Sequence, residues 1–409
     1  MSATLDRLPN GIALAIEPMP HARSAAIGLY ASVGSRSEPA GLSGLAHMVE
    51  HMVFKGAGAR DARAIAESIE DVGGMLNAWT SRDQTVFHAR TLPDDVPLAL
   101  SLIADLVRDP HLAEDELARE KQVILSELGE ARDTPDDLIH DHLFSAAFGS
   151  DPLARPILGD EAGIEAVTAA DCASWLADQY APTRLTIAAA GAVDPDAIRK
   201  LAEPMFGDMA ERPAPAIAPA IWQGGMLADP KRSEQAHLAF AFPAPPAADP
   251  ASAALALFNQ AVGGGMSSRL FQELREERGL AYSIYSWVQA FAECGIAGVN
   301  LSTDRRRASE AMTLAQDIFA RAAETLSEAE LLRARAQVEA GLVMAMEGVA
   351  GRCDALARSV EVHGRLVPMD ELLERLRAVD VAAARAAGVR LLDGEQASAT
   401  IGARLAAAA

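Results

Sequence analysis

Ala113-Glu114-Asp115-Glu116-Leu117-Ala118-Arg119 decides the fold, because Ser327-Glu328-Ala329-Glu330-Leu331-Leu332-Arg333 repeats it in the second half of the chain. Both stretches read as a capping-type start opening a long amphipathic helix around the same Glu-x-Glu-Leu core. A second helix is expected before each, over residues 98–107 and 308–322. Further upstream, Gly74-Met75-Leu76-Asn77-Ala78-Trp79-Thr80-Ser81 aligns with Gly279-Leu280-Ala281-Tyr282-Ser283-Ile284-Tyr285-Ser286. Three elements recurring in one order read as duplication of a single α+β unit.

Residues 205–230 separate the copies: Pro213, Pro215 and Pro219 stand among alanines and are followed by Gly224-Gly225, the composition of an extended linker. The expected division is a first domain over 1–210, a linker over 211–229 and a homologous second domain over 230–409. Residues 12–17 alternate like a strand, residues 185–193 form a late apolar strand, and residues 236–242 supply one to the second half. Each half therefore reads as α+β, a mixed or antiparallel sheet covered by helices on one face.

At 409 residues the chain is too long for one ordinary core, and half of it is hydrophobic, enough for two. The formal charge of −21 excludes nucleic acid as a partner, since phosphate contacts need clustered Lys and Arg. No apolar run is long enough to span a membrane. The opening residues 1–11 lack the apolar stretch of a signal peptide, so a cytoplasmic location is expected. Cys172, Cys294 and Cys353 are odd in number and widely spaced, as reduced structural thiols would be.

Chemistry is concentrated in His47-Met48-Val49-Glu50-His51, within a segment that reads as helix. Two imidazoles at i and i+4 share one helix face, with Glu50 beside them, so both can converge on one metal ion. The order is H-x-x-E-H, the reverse of the commoner zinc-protease motif. A catalytic zinc needs a third protein ligand. The best candidate is Glu127, in an acidic helical stretch over residues 114–132 whose Leu117, Val123, Ile124 and Leu128 are expected on the core. Glu120 lies two turns earlier on the same face and could orient an imidazole. From the residues alone, a solvated acidic face is the better explanation of Glu120 and Glu127, and only a family resemblance overturns it.

These features together resemble the pitrilysin and mitochondrial processing peptidase family of zinc peptidases, over essentially the whole chain. The family pairs H-x-x-E-H with a Glu about as far downstream as Glu127 stands from His51, 76 residues. Gly44-Leu45-Ala46 and Phe54-Lys55-Gly56, flanking the motif, look like the family's ligand helix. Asn77, Ala78 and Trp79 are similar to its substrate-binding edge strand. Arg275-Glu276-Glu277-Arg278-Gly279-Leu280-Ala281-Tyr282 resembles the Arg and Tyr motif of its second half.

The resemblance implies a processing-peptidase (LuxS-like) metallohydrolase fold and one zinc ion per chain, held by His47, His51 and Glu127. It further implies Glu120 supporting the ligands, Glu50 as general base, and Arg275 and Tyr282 completing the site. Substrates would be peptides, taken into a chamber between two subunits. A homodimer is the simplest expectation, because one chain carries both motifs. The alternatives are a heterodimer with a homologous subunit lacking the zinc motif, and a non-catalytic peptide-binding scaffold.

The second half has no metal donors at the matching place, where Phe258-Asn259-Gln260-Ala261-Val262-Gly263 stands, and Gly341 falls opposite Glu127. His140 and His142 lie two apart on different helix faces. His21, His88, His111, His237 and His363 are isolated and read as surface or core residues. Gly263-Gly264-Gly265 lacks the Lys-Ser or Lys-Thr of a phosphate loop and reads as a turn.

Overall fold

Every residue of strands Ala25–Ala31 and Leu185–Gly191 is buried, which a sheet permits only when both of its faces are covered. A computed structural model describes residues 3–231 and 233–403; positions 1–2 and 404–409, the outer ends of the two expected domains, lie outside the described residues. The chain divides into two compact units, each drawing on more than one part of the sequence.

The first unit comprises Met1–Gly129, Pro156–Ala218 and Met344–Val367. Its six-stranded sheet runs in the order Thr4–Arg7, Ala13–Pro18, Leu185–Gly191, Ala25–Ala31, Thr85–Thr91, Met75–Thr80. Only the contact between Ala13–Pro18 and Leu185–Gly191 is parallel. Helices Leu45–Val53, Val96–Arg108 and Ala169–Gln179 fill one face through Leu45, Val49, Leu100, Ile103 and Trp175. The other face is paved with alanines, Ala13, Ala15, Ala26, Ala188 and Ala190, against which Cys353, Leu356, Ala357 and Val360 of helix Val349–His363 pack. Small side chains on the strands let that helix approach closely.

The second unit comprises Glu130–Arg155, Pro219–Val343 and Pro368–Ala409. Its sheet runs Ser283–Ala290, Gly295–Thr303, Ala236–Ala244, Ala397–Ile401, Gly225–Asp229, again with one parallel contact, between the last two. Taken from the Met75–Thr80 edge, the first sheet has the same order and places its parallel contact at the same step. Helices Ser252–Gly263, Ala308–Thr325 and Val381–Leu392 cover one face. Ile139, Leu143 and Phe144 of helix Pro135–Phe148 cover the other, against Ala239, Ala241, Ala399 and Ile401.

Several sequence expectations change. Each sheet is covered on both faces rather than one, and the second cover comes from the other half of the chain. Residues 225–229, expected in the linker, form the edge strand Gly225–Asp229, the counterpart of Ala13–Pro18. In helix Glu114–Asp133, Leu117, Ile124 and Leu128 are buried but Val123 is 42% exposed. Successive helical residues are about 100° apart, so Val123 falls off the stripe that Ile124 occupies. The capping box is present at Ser327, whose hydroxyl accepts from Glu330 N–H at 3.3 Å while its own N–H donates to the Glu330 carboxylate at 2.8 Å; at the matching place Ala113 has no side-chain group to cap with. None of Cys172, Cys294 and Cys353 is in a disulfide among the described residues. Among the described residues no helix is long and apolar enough to cross a membrane.

Candidate metal centre

Helix Leu45–Val53 buries Leu45, Ala46, Met48, Val49, Met52 and Val53, leaving His47, Glu50 and His51 on the opposite stripe. Its N-terminus is held by Glu38, whose carboxylate accepts from Gly44 N–H at 3.0 Å and from Ala46 N–H at 2.9 Å. A buried carboxylate there both satisfies orphan donors and complements the positive end of the helix dipole. Gly44 adopts φ +99°, and a Cβ at this position would stand 2.8 Å from the Leu158 carbonyl oxygen.

The helix brings the two imidazoles to a centroid separation of 4.5 Å. Helix Glu114–Asp133 supplies the two carboxylates expected of it. Glu127 Oε2 lies 3.7 Å from His51 Nε2, and ligand atoms of His47, His51 and Glu127 all fall within 4.8 Å of one another. Among the described residues no second group of this kind occurs. Glu120 Oε2 is 2.9 Å from His51 Nδ1, while Lys55 Nζ reaches Glu120 Oε1 at 2.8 Å. Burial pushes the Glu120 carboxyl up, but the hydrogen bonds from Lys55 and His51 outweigh it and hold the group below the usual range. An ionised Glu120 is an acceptor for a proton on His51 Nδ1, and the other ring nitrogen, Nε2, faces Glu127.

His47 is pushed down to about 4 by burial and by His51, so it is a neutral imidazole at ordinary pH. Its Nδ1 is buried and has no hydrogen-bond partner among the described residues. Two imidazoles and a carboxylate around one point, with a carboxylate behind one imidazole, form a donor set that suits zinc.

Glu50 Oε2 accepts from the Thr80 hydroxyl at 2.6 Å. Burial raises the Glu50 carboxyl, against the Thr80 hydrogen bond and His51, which lower it. Thr80 ends the free edge strand Met75–Thr80, on the face shared with Leu76 and Ala78, while Met75, Asn77 and Trp79 are exposed on the other. Ala78 N–H takes Asn77 Oδ1 as acceptor at 2.9 Å. A cavity of about 560 Å³ runs along this strand, with Phe54, Ala66 and Leu76 among its apolar lining and His88, Arg90 and Asp354 among its polar lining.

The structure thus brings together His47, Glu50, His51, Glu120 and Glu127, with the strand of Asn77, Ala78 and Trp79 joined to them through Thr80. Thr80 and Lys55 were not singled out from the sequence. The signals were there: Lys55 is four residues beyond His51, and Thr80 shares the alternating strand face of Ala78. Arg275 and Tyr282 belong to the second unit. Arg275 lies in the π-helical turn Phe271–Glu276 with its guanidinium 4.8 Å from the Phe271 ring centroid, and Tyr282 is 59% exposed just before strand Ser283–Ala290. Phe258 to Gly263, opposite the motif in the duplication, lie in helix Ser252–Gly263 and offer no metal donor set.

A duplicated α+β chain whose first half alone carries an H-x-x-E-H helix facing a carboxylate has the architecture of a zinc protease family. The chain belongs to peptidase family M16, the insulinase family: that family's model matches residues 13–161, and the model described as the peptidase M16 inactive domain matches residues 166–338. An uncharacterized zinc protease of Mycobacterium tuberculosis is 34% identical over 402 residues, 97% of this chain and 92% of the relative. Another, from Rickettsia bellii, is 34% identical over 97% of each chain. The uncharacterized zinc protease YmxG of Bacillus subtilis is 32% identical over 91% of each. The fold is shared with a crystal structure titled as a peptidase M16 inactive domain from Pseudomonas fluorescens, with a TM-score of 0.92 at 24% identity over 99% of both chains.

Proposed function

We propose that this chain is a zinc-dependent endopeptidase in which His47, His51 and Glu127 hold one metal ion and Glu50 is the general base. The observation that carries this reading is the convergence of these three donors beside a carboxylate held by Thr80. A bound zinc supplies the Lewis acidity that polarises a peptide carbonyl and acidifies a water molecule. Glu50 takes the proton from that water as its oxygen adds to the carbonyl carbon, and returns it to the amide nitrogen as the C–N bond breaks. A carboxyl raised by burial suits both halves of that transfer.

Glu120 positions His51 from behind. The free edge of Met75–Thr80 receives the substrate as an added strand through Asn77, Ala78 and Trp79, the Asn77 side chain giving up the Ala78 N–H to it. Arg275 and Tyr282, whose exposed side chains carry hydrogen-bond donors, bind the substrate backbone and the developing oxyanion from a facing subunit. Because one chain carries both sets, the assembly is a homodimer enclosing a chamber. The setting is the cytoplasm, in keeping with three cysteines in no disulfide among the described residues. Mass spectrometry of a peptide library treated with the zinc-loaded chain, with and without chelator, tests the reading. Cleavage that vanishes with chelator and in Glu50→Gln is expected; no cleavage, or undiminished cleavage by Glu50→Gln, sinks it.

A further inference from the structure

Strand pairing sets which side chains stand beside the free edge of the first sheet. Met75 pairs with Arg90, Asn77 with His88 and Trp79 with Val86, so all six share one face, the one away from the H-x-x-E-H helix. Helix Val349–His363 covers this face only over the inner strands, ending its packing at Tyr30 and Val86. Beyond it the cavity opens over Asn77, His88 and Arg90, with Asp354 as its wall.

Arg90 is the conspicuous group there. Its Nη2 lies 3.2 Å from Sδ of Met75, its cross-strand partner, so the exposed guanidinium extends over the outermost strand. In a chain with 57 acidic and 36 basic residues, a thioether is its one described side-chain partner. Neither carboxylate of the cavity lining pairs with it: Asp354 accepts from the Tyr30 hydroxyl at 2.5 Å, and Glu70 makes no described ion pair. A cation at a strand edge, without a carboxylate of its own, has its donors available to whatever strand is added there.

We propose that Arg90, with His88 beside it, is a carboxylate-recognition subsite for the peptide bound along Met75–Thr80; this rests on the peptidase reading above. The ligand is a carboxylate, either an acidic side chain or the C-terminus of the substrate. The strand fixes its place. Thr80 touches Glu50, so bond cleavage occurs at that end, and Met75 lies five residues away, about 17 Å at ~3.3 Å per residue. An antiparallel added strand runs from the Thr80 end toward Met75, which puts the recognised carboxylate roughly four residues downstream of the cleaved bond.

A scan of Glu against Gln through each position of one cleaved peptide tests this, with kcat/KM as the readout. A second arm compares peptides ending at the favoured position as free acid or amide, and so separates side chain from C-terminus. The zinc-loaded parent should prefer the carboxylate by about fivefold to tenfold at one downstream position, as for a partly desolvated ion pair. Arg90→Met should level that position, and Arg90→Glu should turn the preference toward Lys. Anisotropy of the same peptides on the Glu50→Gln chain should reproduce the ranking in Kd. Chelator-sensitive cleavage with a flat scan, or a preference that survives Arg90→Glu, overturns the subsite and leaves the peptidase reading standing. Neither cleavage nor peptide binding by any variant overturns both.

Discussion

Thr80 and Glu50 are joined by a 2.6 Å hydrogen bond that connects the edge strand to the helix of the H-x-x-E-H motif. The hydroxyl holds one carboxylate oxygen in place, and the proposed mechanism assigns the other to the reacting water. Removing the hydroxyl should therefore slow the chemical step without loosening the metal. Thr80→Val is expected to lower kcat about tenfold with KM and zinc content unchanged, since a hydrogen bond to a charged group contributes about 1.5 kcal/mol. Thr80→Ser should restore most of the rate; equal losses in Ser and Val variants would mean that packing, not the hydroxyl, is at stake.

If Glu120 positions His51 as proposed, its loss is expected to show itself in metal affinity. Glu120→Gln keeps the volume but weakens the pull on His51 Nδ1–H and leaves Lys55 without its carboxylate. Zinc affinity, measured by competition with a chromogenic chelator, should fall by about 10- to 100-fold. Glu127→Gln, at the ligand position itself, should fall further. A Glu120→Gln chain that holds zinc as tightly as its parent would remove Glu120 from the account.

Complementation tests the shared site. Glu50→Gln and Tyr282→Phe chains are each expected to be nearly inactive alone. Mixed and allowed to exchange subunits, they should regain activity, because a mixed dimer holds one site with both groups intact. No recovery after proven exchange would place Tyr282 at its own chain's centre or outside the mechanism.

The repeated helix start in the second half carries a pH signature. Arg269 grips Glu330 with Nε at 2.5 Å and Nη2 at 2.8 Å. Those bonds, against burial and together with Ser327, hold the Glu330 carboxyl down at about 2. A depressed carboxyl contributes stability that is complete above its unfolded value, about 4.3, and drains away as pH falls toward 2. The melting-temperature gap between the parent and Glu330→Gln should thus be constant above about pH 5 and narrow below it. A gap independent of pH down to 3 would contradict the assignment.

What the sequence made legible follows from how each element stores its information. His47, Glu50 and His51 were readable because helical period alone puts them on one face, and the spacing of Glu120 and Glu127 does the same one helix away. Thr80 was not, since a single hydroxyl on a strand has no periodic signature and its partner is thirty residues distant. Strand Gly225–Asp229 was hidden by the prolines and glycines before it, which describe the approach to the strand rather than the strand. Helix Val349–His363 is not placed from the sequence, and Pro135–Phe148 is read only as the helix carrying His140 and His142; an apolar stripe says that a face is buried and not which sheet it meets. The second cover is not read from the sequence, where helices are expected on one face only; tertiary contact alone shows it and where it comes from.

That exchange of helices has a consequence for how the protein is made. The alanine face of the first sheet is sealed by Cys353, Leu356 and Val360, residues translated long after the strands they cover. A nascent chain emerging at roughly 5–20 residues per second therefore displays an unsealed apolar sheet for some ten seconds or more after its H-x-x-E-H helix has left the ribosome. A gene cut between the two repeats would prolong that exposure indefinitely, so the half carrying the H-x-x-E-H motif is not a portable module although the chain is built as a repeat.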